Sequence, residues 1–373
     1  MAGIYIHIPF CSRACNYCDF HFNTSLRFKS EMVEAISVEI IERRNYLGNH
    51  SIKSIYFGGG TPSILSGKEI EKFLKTISQY YSLESIPEIT LEANPENLNK
   101  AYLSELTRIG INRLSIGIQS FRDSDLTFMN RAHNSKQAIS SINDAIEIGF
   151  KNISIDLIYG IPGMSDDNWI KNMETAASFP INHLSCYSLT VEKGTPLAKM
   201  IRKDQTKQPD EDTAAHQFEL LMEIAPNFGF EHYEISNLCR DNQYAVHNSS
   251  YWQNASYLGI GPSAHSFNGK SRRVNKSNNS QYIQAMKKGE VPFEEEILDF
   301  KARYNEKILT GLRTKWGIQK SVLDINGLTL NSEFLSQITS LIKQGLMTET
   351  RDAFLLTKKG FMFADRIASG LFL

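Results

Sequence analysis

The sequence lacks a long apolar run and a charge of one sign. No stretch reaches the roughly eighteen consecutive apolar residues that a membrane-spanning helix needs, and no basic segment followed by an apolar stretch stands at the N-terminus. The formal net charge of −1 excludes a global field that would recruit nucleic acid or an anionic membrane. These absences predict a cytoplasmic protein that does not bind nucleic acid, and they leave peripheral contact with a membrane open.

Cysteine is scarce, but most of it is concentrated in one place. Three of the five cysteines, Cys11, Cys15 and Cys18, have the spacing C-x3-C-x2-C, whereas Cys186 and Cys239 stand alone. The two isolated residues are predicted to be buried, inert thiols. Three thiols this close together suit a metal site better than a disulfide framework, and they fit a reducing compartment.

The cysteine motif supplies only three ligands. A structural zinc site needs four closed ligands, and a cubane iron–sulfur cluster usually takes four cysteines, but Phe20 stands at the next candidate position. A cubane held by three thiolates would leave one iron open, and an open coordination position is where chemistry happens. The alternative is a zinc site that uses His7 or His21 as its fourth ligand.

The motif C-x3-C-x2-C resembles the signature of the radical S-adenosylmethionine (radical SAM) superfamily, in which the open iron binds the amino and carboxylate groups of S-adenosylmethionine. The segment 5–10 (YIHIPF) and Tyr17 also resemble the oxygen-independent coproporphyrinogen oxidase family, and the likeness extends over most of the chain. The resemblance implies a [4Fe-4S] cluster bound by Cys11, Cys15 and Cys18, together with S-adenosylmethionine as a cofactor.

Short β-rich runs alternate with helical periodicity along residues 1–228. Strands are predicted at 4–8, 54–57, 88–91, 113–118, 152–158 and 183–189. Helices are predicted at 27–44, 69–80, 98–109, 136–148, 166–177 and 210–228. Six such units favour an α/β fold of parallel strands with helical crossovers and a site at the carboxyl ends of the strands. They are too few for an eight-stranded barrel, and the resemblance implies a partial (β/α)6 radical SAM barrel over 1–228.

The β-α rhythm stops after residue 228. Residues 229–300 are interpreted as a connecting segment that holds a heme-binding motif, with loops at 275–280 and 289–292. Residues 301–373 are predicted to form a small C-terminal winged-helix-like α+β domain. Its predicted elements are helices at 302–312, 332–344 and 359–367 and a strand pair at 347–356. The mixed charge of this domain gives no basic stripe, so DNA binding is not expected.

Residues with chemical potential follow the predicted strands. The glycine run 58–60 could expose backbone N–H groups to a ligand or simply form a tight strand-to-helix turn. Arg131 could bind a carboxylate or form a surface salt bridge. Asp156 lies in an apolar strand, where a carboxylate is costly without a partner or a role. The resemblance implies a S-adenosylmethionine site formed by Tyr5, Tyr17, Gly59, Gly60, Thr61, Glu92, Gln119, Arg131 and Asp156.

The motif His247-Asn248-x-x-Tyr251-Trp252 combines a metal-ligating side chain with aromatic residues. In a helix, His247 and Tyr251 would share one face. From the spacing alone, an aromatic packing stripe is the simpler interpretation. The motif resembles the heme-binding motif of the HemW-type heme chaperones, a branch of the same family. That resemblance implies His247 as the heme ligand, surrounded by Asn248, Tyr251 and Trp252. His265, beside a glycine turn, is a weaker candidate.

The resemblance implies a chaperone that binds heme and transfers it to an acceptor protein, such as a membrane heme enzyme. The alternative is an oxygen-independent coproporphyrinogen III dehydrogenase, in which a radical derived from S-adenosylmethionine abstracts hydrogen from a propionate. The oxidases resembling this chain carry a further cysteine at the position of Phe20 and a longer arm before the cysteine motif, and both differences favour the chaperone. A zinc-stapled binding module is a third hypothesis. The sequence does not indicate the acceptor or the oligomeric state.

Overall fold

The computed structural model describes residues 1–323 and 332–373. The strands are β1 (Ala2–Ile8), β2 (Ile52–Gly59), β3 (Leu83–Ala93), β4 (Arg113–Gln119), β5 (Asn152–Tyr159), β6 (His183–Ser188), β7 (Glu231–Glu234), β8 (Asn237–Cys239), β9 (Ser256–Ile260), β10 (His265–Phe267), β11 (Ser271–Asn275), β12 (Phe293–Ile297), β13 (Ile318–Gln319), β14 (Met347–Glu349) and β15 (Ala353–Leu356). The helices are α1 (Lys29–Glu42), α2 (Gly67–Tyr80), α3 (Lys100–Arg108), α4 (Asp123–Phe128), α5 (Ser135–Ile148), α6 (Asp166–Ala177), α7 (Pro196–Arg202), α8 (Glu211–Ile224), α9 (Val246–Trp252), α10 (Asn279–Met286), α11 (Phe300–Leu312), α12 (Lys320–Leu323), α13 (Ser332–Lys343), α14 (Lys358–Phe361) and α15 (Ala364–Gly370).

Twelve of these strands form one mixed sheet in the order β12-β11-β10-β9-β1-β2-β3-β4-β5-β6-β8-β7. Strands β1 to β6 are parallel and adjacent in chain order, and β9 pairs in parallel with the other side of β1. Antiparallel strands extend both edges, and among the described strands the sheet does not close. The prediction of an α/β partial barrel with six β-α units is confirmed.

The two faces of the parallel strands differ in chemistry. Ile4, Ile6 and Ile8 of β1 are almost fully buried and belong to the large hydrophobic core, which also contains Ile36 and Ile40 of α1. The alternate residues of β1 to β6 are small, polar or aromatic: Gly3, Tyr5, His7, Ser54, Tyr56, Gly58, Glu92, Ser115 and Asp156. Because successive side chains on a strand point to opposite faces, the second set collects on the inner face of the barrel.

Residues 229–300 contribute more regular structure than the sequence predicts. They form β7 to β12, α9 and α10, and the predicted loop at 275–280 begins with the last residue of β11 and ends inside α10. The edge strand β12 carries three consecutive exposed glutamates, so it has no apolar alternation to reveal it. The division at residues 228 and 300 stays a prediction.

The C-terminal region has its own three-stranded sheet, β13-β15-β14, and a second hydrophobic core. Ile308, Phe354 and Ile367 are representative members of this core and come from α11, β15 and α15. The single helix predicted at 359–367 is instead two short helices, α14 and α15, separated at Met362 and Phe363. The winged-helix-like α+β architecture is confirmed. In the described part of the chain, no helix has the length and apolarity to cross a membrane.

Candidate functional site

The three clustered cysteines lie on the loop that leaves the carboxyl end of β1. Cys11 is buried, Cys15 and Cys18 are partly buried, and the Cys18 amide donates to the Cys15 carbonyl at 3.4 Å. Burial raises the pKa of Cys11 to about 11 and that of Cys18 to about 12. Both are therefore protonated at neutral pH unless a bound cation stabilises the thiolates, as coordination does.

Segments far along the chain hold this loop. Asn16 Nδ2 donates to the Phe128 carbonyl at 2.6 Å, and Asn130 Nδ2 donates to the Ala14 carbonyl at 2.7 Å. The Leu197 amide, in α7, donates to the Asn16 carbonyl at 2.8 Å. The cysteine loop is thus fixed by α4, α7 and the residues after α4, so its conformation does not depend on local sequence alone.

Arg131 lies beside the cysteines. Its Nη1 is 3.4 Å from Cys15 Sγ, and its Nη2 donates to Asn94 Oδ1 and to the Gly117 carbonyl, both at 2.7 Å. Its Nε is buried without a partner among residues 1–323 and 332–373. A fixed guanidinium with a spare N–H next to three thiols fits a site for an anionic cluster and a ligand carboxylate. The alternative, a surface salt bridge, does not fit the partly buried position of Arg131 or these contacts among the described residues.

The glycine run at the end of β2 has no room for side chains. A Cβ on Gly59 would lie 2.6 Å from the His7 ring, and one on Gly60 would lie 2.5 Å from the Phe10 carbonyl oxygen. Gly59 also has a φ of +108°, which favours glycine. Thr61 donates its amide to the Phe10 carbonyl at 2.7 Å. The close approach of β1 and β2 therefore accounts for both glycines, and it places their backbone at the edge of the cysteine loop.

Two carboxylates face the inside of the barrel. Glu92 accepts from the Tyr56 hydroxyl at 2.7 Å and from the Gly59 amide at 3.3 Å, and burial raises its pKa to about 7. Asp156 accepts from Ser115 Oγ at 3.1 Å, and burial raises its pKa as well. Both carboxyl groups thus accept hydrogen bonds from hydroxyl groups of the protein. They are placed to accept hydrogen bonds from the hydroxyl groups of a ligand in the same way.

Gln119 is the last residue of β4, after an irregularity in the pairing with β5. Its φ is +67°, an uncommon conformation for a residue other than glycine. Beside it, a Cβ on Gly117 would lie 3.0 Å from Gln119 Nε2 and 3.2 Å from Arg131 Nη2. Gln119 and Arg131 therefore converge on one point of the inner face, and strained backbone of this kind often marks a functional site.

A cavity of about 620 Å³ opens next to these groups. Tyr5, Gly59 and Glu92 form one side of it, and Tyr251, Trp252 and Tyr257 form part of another. Phe20, which follows the cysteine motif, also contributes, and its side chain is 67% exposed. Small-molecule sites typically measure roughly 300–1,000 Å³ and are lined mainly by apolar and aromatic groups, so this cavity has the size and lining of a ligand site.

The structure does not place His247 in this cavity. Its side chain is 2% exposed, its Nδ1 lies 2.8 Å from Ser54 Oγ, and its Nε2 lies 2.8 Å from the Tyr251 hydroxyl. The ring stacks on Tyr56 with centroids 5.0 Å apart, and burial lowers the pKa of His247 to about 3. Both ring nitrogens are occupied, so binding of iron by His247 requires that it exchange these contacts; that role stays a prediction.

The other residues of the motif have separate positions. Residues Val246–Trp252 form the helix α9, which is the condition for His247 and Tyr251 to share one face, and Tyr251 and Trp252 reach the cavity. Asn248 is partly buried and interacts with Tyr233 and Glu234, away from the cavity wall.

The geometry does not support the zinc alternative. His7 Nε2 lies 2.8 Å from the His21 carbonyl oxygen and its Nδ1 lies 3.3 Å from the Tyr5 hydroxyl, while His21 Nε2 lies 2.7 Å from Asn279 Oδ1. Among residues 1–323 and 332–373, no three His, Cys, Asp or Glu side chains are arranged to hold a single metal ion.

Sequence reasoning missed several residues that complete the site. Tyr56 binds Glu92, Ser115 binds Asp156, and Asn94 binds Arg131. The signal that finds the first two is the period of two along the strands, because Tyr56 alternates with the apolar Ile55 and Phe57 of β2, and Ser115 with the apolar Leu114 and Ile116 of β4. Asn94 directly follows the end of β3, a position that the same fold class uses for ligand contacts.

Comparisons with known proteins agree with this geometry. Residues 5–176 match the family model of the radical SAM superfamily. The heme chaperone HemW of Bacillus subtilis is 33% identical over 371 residues, which cover 98% of each chain, and that of Lactococcus lactis is 33% identical over 97% of this chain and 95% of its own. The solved structure of coproporphyrinogen III oxidase (HemN) from Escherichia coli, a radical SAM enzyme, superposes on this chain with a TM-score of 0.86 at 22% sequence identity. The superposition covers 99% of this chain and 89% of HemN. At this identity the similarity establishes a shared fold only.

The cysteine loop at the end of β1, the glycine turn after β2 and the inward-facing carboxylates are thus arranged on a fold shared with a radical SAM enzyme, and the two HemW proteins match along nearly their whole length. The chain belongs to the radical SAM superfamily and, within it, to the HemW family.

Proposed function

We propose that this protein is a heme chaperone that binds heme and transfers it to an acceptor protein, with a [4Fe-4S] cluster and S-adenosylmethionine in its barrel. The observation that carries the proposal is the 620 Å³ cavity, because one wall belongs to the expected S-adenosylmethionine site and another comes from the helix of the motif His247-Asn248-x-x-Tyr251-Trp252. The name of its relatives, heme chaperone HemW, supports heme as the cargo.

Cys11, Cys15 and Cys18 are the proposed cluster ligands. The donor set fits, since three thiols lie on one loop and Arg131 supplies a positive charge at 3.4 Å from Cys15 Sγ. A cluster bound by three thiolates keeps one iron available for S-adenosylmethionine. Burial by the surrounding loop shields the cluster site, while Asn16 and Asn130 keep the loop in place.

The proposed S-adenosylmethionine site lies along the carboxyl ends of β1 to β5. Arg131, with its free Nε, is suited to a carboxylate. Glu92 is suited to ribose hydroxyls because a carboxylate has about four acceptor positions and its contacts with Tyr56 and Gly59 leave acceptor capacity on both oxygens. The other predicted contacts of the same ligand stay predictions: Tyr5, Tyr17, Gly59, Gly60, Thr61, Gln119 and Asp156.

Oxidation of coproporphyrinogen is the second candidate, and the fold shared with HemN is the observation that favours it. The chain has Phe20 two positions after the last cysteine of the motif, where the oxidases that it resembles carry a further cysteine. The greater identity and nearly complete mutual coverage of the HemW relatives favour the chaperone.

One experiment separates the two candidates. Anaerobically reconstituted protein is titrated with ferric heme, and the same sample is assayed for loss of coproporphyrinogen. We expect saturable heme binding and no conversion. Conversion of coproporphyrinogen by a sample that does not bind heme would replace the chaperone with the enzyme. The acceptor protein, the cytoplasmic location and the absence of nucleic-acid binding stay predictions.

A further inference from the structure

We propose that His265, not His247, is the protein ligand of the heme iron. This inference rests on the proposed function, since it concerns how that cargo is bound. The reason to look beyond His247 is its burial between Ser54 and Tyr251, which occupies both of its ring nitrogens.

The cavity wall contains three histidines, His7, His21 and His265, and they differ in what their rings already bind. His7 uses both nitrogens, on the His21 carbonyl and on Tyr5. His21 uses Nε2 on Asn279. His265 is exposed, and neither of its ring nitrogens has a hydrogen-bond partner in the described parts of the chain. Of these three histidines, His265 is therefore the one with both ring nitrogens available among the described residues, whereas His21 keeps only Nδ1 and is tied to Asn279 through Nε2.

The backbone of His265 is held firmly. It is the first residue of β10, and it pairs with Val274 of β11. The turn before it is fixed by Glu39, which is fully buried and accepts from the Gly261 amide at 2.8 Å and from Asn275 Nδ2 at 2.8 Å. A side chain on a rigid strand at the mouth of a cavity is well placed to orient a bound metal centre.

Access to the cavity distinguishes His265 from His247. The His265 side chain lines the cavity, whereas the His247 side chain is 2% exposed and does not reach it.

The rest of the wall matches the other chemical features of heme. Tyr257, Phe267 and Trp252 provide aromatic surface for the porphyrin face. Arg272 Nε and Trp252 Nε1 are buried N–H groups in the same wall without partners among residues 1–323 and 332–373. Buried donors normally have acceptors, and the two propionate carboxylates of heme would provide them.

The test is a titration of the full-length, reconstituted protein with ferric heme, in which the position of the Soret band is measured at each heme concentration. In His265→Ala we expect the band to move and heme affinity to fall by about tenfold or more, because losing even an outer-sphere partner of a metal ligand typically costs roughly 10–100-fold. Added imidazole should restore the band of wild type. Unchanged iron–sulfur content would show that the variant is folded.

His21→Ala and His247→Asn are the matched variants, the second chosen because asparagine can still form a hydrogen bond with Ser54. Both should keep the Soret band of wild type. The inference is overturned if His265→Ala binds heme with the spectrum and affinity of wild type, if imidazole does not restore its band, or if either control variant alone loses the band. Wild-type protein that does not bind heme at all would overturn the proposed function as well, so the two failures are distinguishable.

Discussion

At the scale of single residues, Glu92 combines burial with chemistry. Its side chain is only partly accessible, and its pKa rises to about 7 from an ordinary value of 4.5, chiefly because burial disfavours its charged form and also because the negative charge of Asp156 opposes ionisation. The Tyr56 hydroxyl and the Gly59 amide oppose this effect by donating to the carboxylate. Glu92 therefore changes charge close to neutral pH.

This titration predicts a pH dependence of stability. A carboxyl group with a raised pKa in the folded state ionises more easily in the unfolded chain, so the free energy of unfolding falls as the pH rises from about 4.5 to about 7 and then levels off. At about 1.36 kcal/mol per pH unit, the contribution of Glu92 is at most about 3–4 kcal/mol. Urea unfolding of the cluster-free protein at several pH values measures it.

Glu92→Gln is the variant for this measurement, because the amide keeps an acceptor for Tyr56 but does not ionise. Its stability should vary less than that of wild type between pH 4.5 and 7. An identical pH profile for the two proteins would show that Glu92 ionises normally.

The Glu92→Gln variant should also bind S-adenosylmethionine more weakly, by about 1–3 kcal/mol for a lost charged hydrogen bond.

The cysteines give a second prediction at this scale. Reconstituted protein should contain about four iron and four sulfide per chain, and replacement of Cys11, Cys15 and Cys18 by Ala should remove both, as measured by iron and acid-labile sulfide analysis. Cys239→Ala is the control, because Cys239 is fully buried in the short strand β8, away from the loop. Stoichiometric zinc without sulfide in wild type would contradict the cluster.

At the scale of elements, α9 depends on a residue from another strand. Its N-cap residue, Ala245, has no capping side chain. Instead, Glu88 of β3 accepts from the amides of Val246 and His247, at 3.0 and 2.9 Å, and lies 3.9 Å from Arg113. A negative charge at the start of a helix also interacts favourably with its dipole. Long-range capping thus holds α9 against the barrel.

Glu88→Ala should therefore loosen α9. It removes two hydrogen bonds to a charged acceptor, each worth about 1.5–3 kcal/mol, and leaves Arg113 buried without its counter-charge. We expect lower stability in urea and faster hydrogen exchange at the amides of Val246 and His247. Glu84→Ala, on the same strand, should change neither. Unchanged exchange at these amides in Glu88→Ala would mean that other contacts hold α9.

At the scale of the whole molecule, the cavity joins the barrel to the C-terminal region. Leu309 and Thr310 of α11 line it, and Thr310 Oγ1 accepts from Asn254 at 3.0 Å. Arg272 of β11 lies 2.8 Å from Glu306 of α11. A ligand in this cavity therefore contacts residues of the barrel strands and of α11, and its binding energy should stabilise both regions.

This connection predicts how heme affects folding. At a free heme concentration of 100 times Kd, binding should add about 2.7 kcal/mol to the free energy of unfolding, visible as a higher Tm. Hydrogen exchange should slow in α11 as well as in α9. The heme-free protein is the reference. Slower exchange in α9 alone, with α11 unchanged in the heme-bound sample, would place the ligand outside this cavity.

The sequence alone determined the local features of this protein. Cysteine spacing within one loop and periods of 2 and 3.6 residues are short-range patterns, so the cysteine loop and the six β-α units could be predicted. The prediction worked best for β1 to β6, where buried apolar runs alternate with strongly patterned helices.

Only the tertiary structure decided which of these residues meet. The edge strand β12 carries glutamates and pairs with β11, so it becomes regular through long-range hydrogen bonds and not through its own pattern. His247 is buried, and Ser54 and Tyr251 form hydrogen bonds with its two ring nitrogens. His265 reaches the cavity because the pairing of β10 with β11 places it at the opening of the cavity. A residue type and its spacing indicate what a side chain can do, but its access to a ligand depends on contacts between segments that lie about 200 residues apart, as Ser54 and His247 do.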